Sequence, residues 1–269
     1  MLKFCIIYNE SKDKANKIYK ECYDYLKQKK IEILDIDEIY NCDFLIVIGG
    51  DGTLLRAFKK INDISKNLPK IIAINAGSMG YLTEVTYEKY KEIIDDVIND
   101  NYRYEERYFM EVSVYNKKYY SLNEVVVNRD NKVMNIIDIE IYSNNNFLAK
   151  YQGDGILIST PTGSTAYSLS IGGPIVIPSL SLFLISPIAT HNLNTRPIIL
   201  DGDMSIDLIV DTNNNEAFLN VDGQFIGNVK KDDRINIKYS DRKLMLVIPK
   251  DRNYYDVLRR KLKWGDNLC

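Results

Sequence analysis

An unbroken apolar run, Phe44-Leu45-Ile46-Val47-Ile48, ends in Gly49-Gly50-Asp51-Gly52-Thr53 and is followed by the helix-like Leu54-Leu55-Arg56-Ala57-Phe58. A buried strand therefore delivers one carboxylate into a turn where three glycines bare the backbone. Bare N–H groups at a helix start suit a phosphate. A carboxylate does not, unless it works as a base or holds a metal. A phosphate cradle with an acid inside it points to phosphoryl transfer. The loop lacks the lysine of GxxxxGK[ST] and the spacing of GxGxxG, so it is neither a Walker loop nor the usual dinucleotide turn.

The rest of the first hundred residues repeats this strand–turn–helix grammar. Lys3–Asn9, Phe44–Ile48 and Lys70–Asn75 read as strands, and Lys12–Lys30, Thr53–Ile61 and Tyr87–Asn99 as helices. In the first helix Ala15, Ile18, Tyr19, Cys22 and Leu26 recur at helical spacing, and in the last Tyr90, Ile93, Ile94 and Val97 do so. A βαβα rhythm predicts a parallel sheet covered by helices, with ligands at the carboxyl ends of its strands. From about Asn101 the rhythm changes to short strands separated by turn signals. These are Phe109–Tyr115, Tyr119–Asn128, Ile136–Tyr142, Phe147–Gln152, Gly155–Ser159, Pro197–Leu200, Met204–Val210, Ala217–Val221, Phe225–Val229, Arg234–Tyr239 and Leu244–Pro249. Tyr254–Trp264 reads as a closing amphipathic helix. The expected organisation is a Rossmann-like α/β domain over 1–103, an all-β, sandwich-like domain over 104–250, and a C-terminal helix over 251–269 returning to the first domain.

Composition narrows the class. With 269 residues, 45% hydrophobic, the chain can bury a sizeable core, and a net charge of −2 argues against nucleic acid as a partner. Cys5, Cys22, Cys42 and Cys269 have no CxxC spacing and read as free thiols of a reducing compartment. The longest apolar run, Leu180–Ala189, contains Pro187 and falls short of the ~20 residues that span a bilayer. These features predict a soluble cytoplasmic protein without a membrane partner.

Four further segments carry candidate chemistry. Asn75-Ala76-Gly77-Ser78-Met79-Gly80-Tyr81 is a second glycine-bearing turn at a strand end, a plain turn alone but the second wall of a crevice beside the first loop. Asn123-Glu124 places an amide and a carboxylate side by side in a strand, fit for a base edge and for ribose hydroxyls. Gly153-Asp154-Gly155 leads through a buried strand into Ser159-Thr160-Pro161-Thr162-Gly163-Ser164-Thr165. Five hydroxyl residues in one loop exceed what a helix cap needs; they could meet a purine, with Tyr167 packing on its ring. Val221-Asp222-Gly223-Gln224 reads as a hairpin turn. His191 lacks a partner at ligand spacing and no GxSxG is present, so it reads as structural.

With these residues in view, the chain resembles the bacterial NAD kinases over most of its length. The resemblance rests on Gly49–Thr53, Asn75–Tyr81, Asn123-Glu124, Gly153–Tyr167, Gly172-Gly173-Pro174, Pro187–Pro197 and Val221–Gln224. Diacylglycerol and sphingosine kinases and phosphofructokinases carry similar glycine–aspartate loops; the Asn123-Glu124 pair joined with Asp154 and Ser159–Tyr167 is more specific. The resemblance implies transfer of the ATP γ-phosphate to the 2′-hydroxyl of the adenosine ribose of NAD, giving NADP, with polyphosphate a conceivable donor. It implies a divalent metal, usually magnesium, whose ligands the sequence leaves unassigned, and a homotetramer or homodimer. Asp51 would be the general base, with Gly49, Gly50, Gly52 and Thr53 in the phosphate loop. Asp51 itself, Gly52, Arg56, Asn123, Glu124, Gln152, Asp154, Thr162, Thr165, Ala166, Tyr167, Ser168, Leu169, Ser170, Ala189 and Gln224 would contact the dinucleotide. Ala76 replaces a commoner threonine and Gln224 stands where some members have histidine. Two rivals remain at this point: a lipid kinase of the diacylglycerol or sphingosine type, and a dinucleotide sensor without catalysis.

Overall fold

The computed structural model describes residues 2–64, 68–129, 136–190, 194–212 and 217–264. His191 lies outside the described residues. The chain divides into two compact units, Met1–Glu106 with Leu244–Cys269, and Arg107–Lys243.

In chain order the first elements are β1 (Lys3–Tyr8), α1 (Asp13–Gln28), β2 (Glu32–Ile33), β3 (Phe44–Gly49), α2 (Asp51–Ile64), β4 (Lys70–Asn75) and α3 (Tyr90–Ile98). They are followed by β5 (Arg103–Val114), β6 (Lys117–Ser121), β7 (Glu124–Arg129), β8 (Ile137–Ser143), β9 (Asn146–Gly153) and β10 (Gly155–Ser159). The chain closes with α4 (Tyr167–Ser170), β11 (Leu182–Ile188), β12 (Ile198–Asp201), β13 (Ile206–Asp211), β14 (Ala217–Val221), β15 (Gln224–Val229), β16 (Arg234–Ile248) and α5 (Tyr254–Leu262).

The first unit holds the parallel order β2-β1-β3-β4, extended by the end of β16 through Leu246 opposite Ile71. Side chains alternate across a strand, so Phe44, Ile46 and Ile48 join a core with Ala15, Ile18, Cys22 and Leu26 of α1 and Tyr90, Ile93, Ile94 and Val97 of α3. Leu45 and Val47, on the opposite face, are equally inaccessible. Burial on both faces is why β3 carries no polar residue. It also leaves the strand's carboxyl end as the place where polar groups can emerge. The helix α5 belongs to this unit. Asn253 caps it by accepting from the Tyr255 N–H (3.0 Å), and Val257 and Leu258 are its buried side chains.

The second unit is β-rich. A six-stranded sheet runs β12-β11-β10-β7-β14-β15, and the antiparallel set β16-β13-β8-β9 supplies the other layer. Its core takes Val125, Val127, Ile156, Ile158, Phe183 and Ile185 from one and Ile139, Ile141, Leu208, Val210, Ile235 and Ile237 from the other. The α/β region, the β-rich domain and the C-terminal helix are as the sequence predicts.

Three of the departures from the sequence reading concern the β-strands of the second half of the chain. The run Tyr119–Asn128 is two strands, broken at Leu122-Asn123, because the N–H groups of Leu122, Asn123 and Glu124 go to the carboxylate of Asp222. Arg234–Tyr239 and Leu244–Pro249 belong to the single strand β16. Its polar middle is held by aromatic rings, with the Arg242 guanidinium 4.1 Å from the Tyr120 ring and the Lys243 ammonium 5.0 Å from that of Tyr108. The apolar Leu182–Ile188 is a full strand, β11, despite Pro187. Pro187 stands opposite Ile156 of β10, beyond the Leu182–Ile185 stretch that pairs with β12.

Candidate active site

In the first unit, β3 ends at Gly49 and α2 begins at Asp51, two residues earlier than the spacing suggests. The glycine loop is therefore largely the first turn of a helix. Thr53 and Leu54 donate their N–H groups back to the Gly50 carbonyl (2.8 and 3.2 Å). The N–H groups of Asp51 and Gly52 precede the first intrahelical bonds and lack a partner within the helix. Gly49 is sterically required, since a Cβ there would lie 2.4 Å from Thr53 Oγ1. Arg56 is exposed and donates through Nη2 to Thr53 Oγ1 at 3.4 Å.

The Asp51 carboxylate is oriented by the second glycine-bearing segment. Oδ2 accepts from the Tyr81 N–H (2.8 Å). Oδ1 accepts from the Leu82 N–H (3.1 Å), the Thr83 N–H (3.0 Å) and the Thr83 hydroxyl (3.0 Å). Oδ1 is thus saturated, while Oδ2 keeps acceptor capacity for an incoming group. Gly80 permits this approach, because a Cβ there would stand 1.9 Å from Asp51 Oδ1. Asn75 braces the same segment. Its Nδ2 donates to the Ser78 carbonyl (2.6 Å) and to Thr83 Oγ1 (3.2 Å), and its Oδ1 accepts from the Gly77 N–H (2.6 Å). The two loops anticipated as neighbouring walls are hydrogen-bonded to one another, also through Ala76 N–H to Gly49 O (3.1 Å). The donors at Leu82 and Thr83 were not legible in sequence, since nothing in their side chains marks a backbone N–H as an orienting group.

In the second unit Asp222 plays a similar part. It stands in a two-residue hairpin turn with φ of 46° at Asp222 and 72° at Gly223, the left-handed pair that a type I′ turn requires. Its Oδ1 accepts from Ser121 Oγ (2.7 Å) and the N–H groups of Asn123 (2.8 Å) and Glu124 (3.1 Å), and Oδ2 from that of Leu122 (2.8 Å). Burial pushes its carboxyl up, against the downward pull of these bonds. The Asp-Gly pair reads as a mere turn in sequence; in the fold it organises the Asn123-Glu124 backbone.

Glu124 is buried at 7% exposure, and its Oε2 has no hydrogen-bond partner. Burial, and then the negative charge of Asp222, push its carboxyl up to about 8, with the Tyr167 N–H pulling the other way. An enclosed acid with an unused oxygen is costly to the fold alone, and it suits a ligand hydroxyl. Asn123 is partly exposed beside it.

The hydroxyl-rich loop is more self-contained than its composition suggests. Thr160 Oγ1 donates to the Leu122 carbonyl (2.6 Å) and accepts from the Gly163 N–H (3.1 Å). Ser159 donates to the Thr160 carbonyl (2.7 Å), Ser164 to that of Pro161 (2.6 Å), and Thr165 to that of Thr162 (3.4 Å). Four of the five hydroxyls therefore shape the loop against Asn123. Gly163 makes this fit possible, since a Cβ would lie 2.2 Å from the Asn123 carbonyl oxygen. Thr162 and Ser168 are buried, Ala166 and Leu169 are half-buried, and Tyr167 and Ser170 are exposed. The Ser168 hydroxyl has no hydrogen-bond partner. Asp154 is ion-paired with Arg129 (2.6 Å). Gln152 lies exposed on β9 and donates to Asp138 (3.0 Å). Ala189 is exposed with a φ of 45°, and Gln224 opens β15.

Among the described residues no group of three or more His, Cys, Asp or Glu gathers at one point. Magnesium needs no such cage, because one or two carboxylates with substrate phosphates hold it.

A carboxylate held at a helix start, at the carboxyl end of a parallel sheet, suits phosphoryl transfer, and the chain's likeness to known proteins places it among the phosphotransferases. The match to known proteins is specific. A family model described as the ATP-NAD kinase N-terminal domain covers residues 38–102, and one described as the ATP-NAD kinase C-terminal domain covers 122–248. The chain belongs to the NAD kinase family. It is 54% identical to the NAD kinase of Fusobacterium nucleatum over 100% of both chains. It is 38% identical to that of Caldicellulosiruptor saccharolyticus over 95% of this chain and 97% of the other. An NAD kinase from Archaeoglobus fulgidus, solved in complex with ATP, superposes with a TM-score of 0.79 at 27% identity, covering 97% of this chain and 99% of that one. Yeast NADH kinase, solved with NADH, gives 0.90 at 21% identity over 100% and 89%, a likeness of fold alone. These matches support phosphorylation of NAD to NADP and do not favour the lipid-kinase alternative.

Proposed function

We propose that this chain transfers the γ-phosphate of ATP to the 2′-hydroxyl of the adenosine ribose of NAD, with Asp51 as the general base. The observation that carries the reading is the Asp51 carboxylate, fixed by three consecutive backbone N–H groups with Oδ2 left able to accept. A ribose hydroxyl is a poor nucleophile at neutral pH. Asp51 Oδ2 accepts its proton as the bond from the 2′-oxygen to the γ-phosphorus forms and the bond from that phosphorus to the β,γ-bridging oxygen breaks, releasing ADP. The first-turn N–H groups of α2, with Gly49, Gly50, Gly52 and Thr53 giving close approach, favour the phosphoryl oxygens. A magnesium ion held by the substrate phosphates would neutralise charge on those oxygens.

On this reading the first unit takes phosphoryl transfer and the second dinucleotide recognition. Glu124 Oε2 accepts from ribose hydroxyls and Asn123 reads a base edge. Gly52, Arg56, Gln152, Asp154, Thr162, Thr165 to Ser170, Ala189 and Gln224 complete the contacts. The free buried thiols of Cys5, Cys22 and Cys42 are consistent with a cytoplasmic setting. A homotetramer or homodimer is the expected assembly.

The test is NADP formation, coupled to an NADP-specific dehydrogenase, with ATP and then polyphosphate as donor. Asp51→Asn should lower turnover by about 10²–10⁴-fold, leaving NAD affinity within a few-fold. Tight NAD binding by the unaltered protein with no NADP formed would point to the sensor instead.

A further inference from the structure

Behind the segment that orients Asp51 lies a buried charge pair that the proposed chemistry does not use. Arg252 donates through Nε to Glu84 Oε2 (2.5 Å) and through Nη2 to Glu84 Oε1 (2.7 Å), and its Nη1 reaches Glu105. The Glu84 and Arg252 side chains are 4% and 6% exposed. The Tyr254 ring lies 5.3 Å from the guanidinium. Burying two charges seldom stabilises a fold more than an apolar pair of equal volume. What a two-pronged arginine–carboxylate pair adds is geometry, since it fixes both the place and the plane of the carboxylate.

Glu84 is one peptide bond from Thr83, whose N–H and hydroxyl both reach Asp51 Oδ1 at 3.0 Å. On its other side Val85 is bonded to β4, its carbonyl accepting from Asn75 (2.8 Å) and its N–H donating to the Ala73 carbonyl (3.2 Å). The N–H row at Tyr81, Leu82 and Thr83 is therefore anchored from behind at two adjacent residues, one to the sheet and one to the segment leading into α5. Further along, Arg260 Nη1 lies 3.8 Å from Met79 Sδ and the Lys261 ammonium 5.7 Å from the Tyr81 ring. These exposed contacts are weaker and follow the same segment.

We infer that Arg252 is a positioning residue for the reaction: by clamping Glu84 it holds the Tyr81–Thr83 N–H row, and through that row the orientation of the Asp51 carboxylate. The inference rests on the reading of Asp51 as base. A displacement of about 1 Å at a reacting group can cost about 10²-fold in rate, so a clamp remote from substrate can govern turnover without touching affinity.

The experiment compares Glu84→Leu/Arg252→Met with the unaltered protein. Replacing both partners leaves neither charge buried alone, and Glu105, which is 31% exposed, can be solvated. The expected result is a retained melting temperature, a KM for NAD within about threefold, and kcat lower by roughly 10–100-fold. Amide deuterium exchange in 81–83 should quicken by at least about tenfold while that of β3 and β4 stays unchanged. Arg252→Lys, which keeps the charge but not the fork, should fall between the two and decides by the same readouts if the double variant folds poorly. Unchanged kcat together with unchanged exchange at 81–83 overturns the inference. Exchange requires no turnover, so it judges the clamp even if the unaltered protein makes no NADP, a result that would remove the kinase reading instead.

Discussion

Glu124→Gln offers a quantitative check on the electrostatics of the second unit. Burial and the charge of Asp222 raise the Glu124 carboxyl from its ordinary 4.5 to about 8. In the unfolded chain the same group ionises near its ordinary value. Between these limits the folded state retains a proton that the unfolded state has released. The stability this proton confers is present in full below pH 4.5 and is lost as the pH rises to about 8. At about 1.4 kcal/mol per pH unit the loss sums to roughly 3–5 kcal/mol. Glutamine has nearly the same shape and does not titrate. Its amide meets the Tyr167 N–H less well than a carboxylate does, but that offset is the same at every pH. The quantity to follow is therefore the difference in unfolding free energy, variant minus wild type, from urea titrations without NAD at pH 5, 7 and 9. It should rise in favour of the variant by a few kcal/mol from pH 5 to pH 8 and then level. Parallel stability curves would refute the claim that Glu124 is held protonated by its surroundings.

The same group predicts a binding signature: NAD placing a ribose hydroxyl on Glu124 should favour its ionised form, so calorimetry in buffers of different ionisation enthalpy near pH 7 should detect proton release. A proton count of zero across buffers argues against that contact. Asp222→Ala strips the acceptor from four donors and should cost on the order of 3–5 kcal/mol, with NAD affinity falling; chemical denaturation and NAD titration measure both. Gly80→Ala forces a methyl against Asp51, whereas Gly77→Ala meets nothing within 4 Å. The first should lose at least about tenfold in kcat and the second should fold as stably as wild type, as steady-state kinetics and melting curves will tell. Ser164→Ala should lower stability by about 1 kcal/mol with little change in KM, because its hydroxyl serves Pro161 and Val176.

Much of the fold was written in local patterns. The short, β-branched run Phe44 to Ile48, bounded by glycine, read as a strand covered on both faces, and the helical spacing of Ala15, Ile18, Cys22 and Leu26 named the face that α1 buries. The glycines around Asp51 announced a turn, while the close approach to its carboxylate is made by Gly80. The break at Leu122-Asn123 was hidden because its cause, Asp222, lies about a hundred residues away in sequence. The strand β11 was obscured by Pro187, which sits beyond the stretch paired with β12 and opposite Ile156 of β10.

The chain's own order thus determined which residue types meet at each strand end: periodicity and glycine are short-range properties that a linear text preserves. Tertiary structure decided how they are used. It assigned most of the hydroxyls of Ser159–Thr165 to loop architecture, turned an Asp-Gly hairpin into the anchor of Asn123-Glu124, left Glu124 with an unused oxygen, and set a buried arginine behind the support of Asp51. Hydrogen bonds and burial join residues distant in sequence, and backbone N–H groups, the main orienting donors of the Asp51 and Asp222 carboxylates, look alike at every position until the chain has folded.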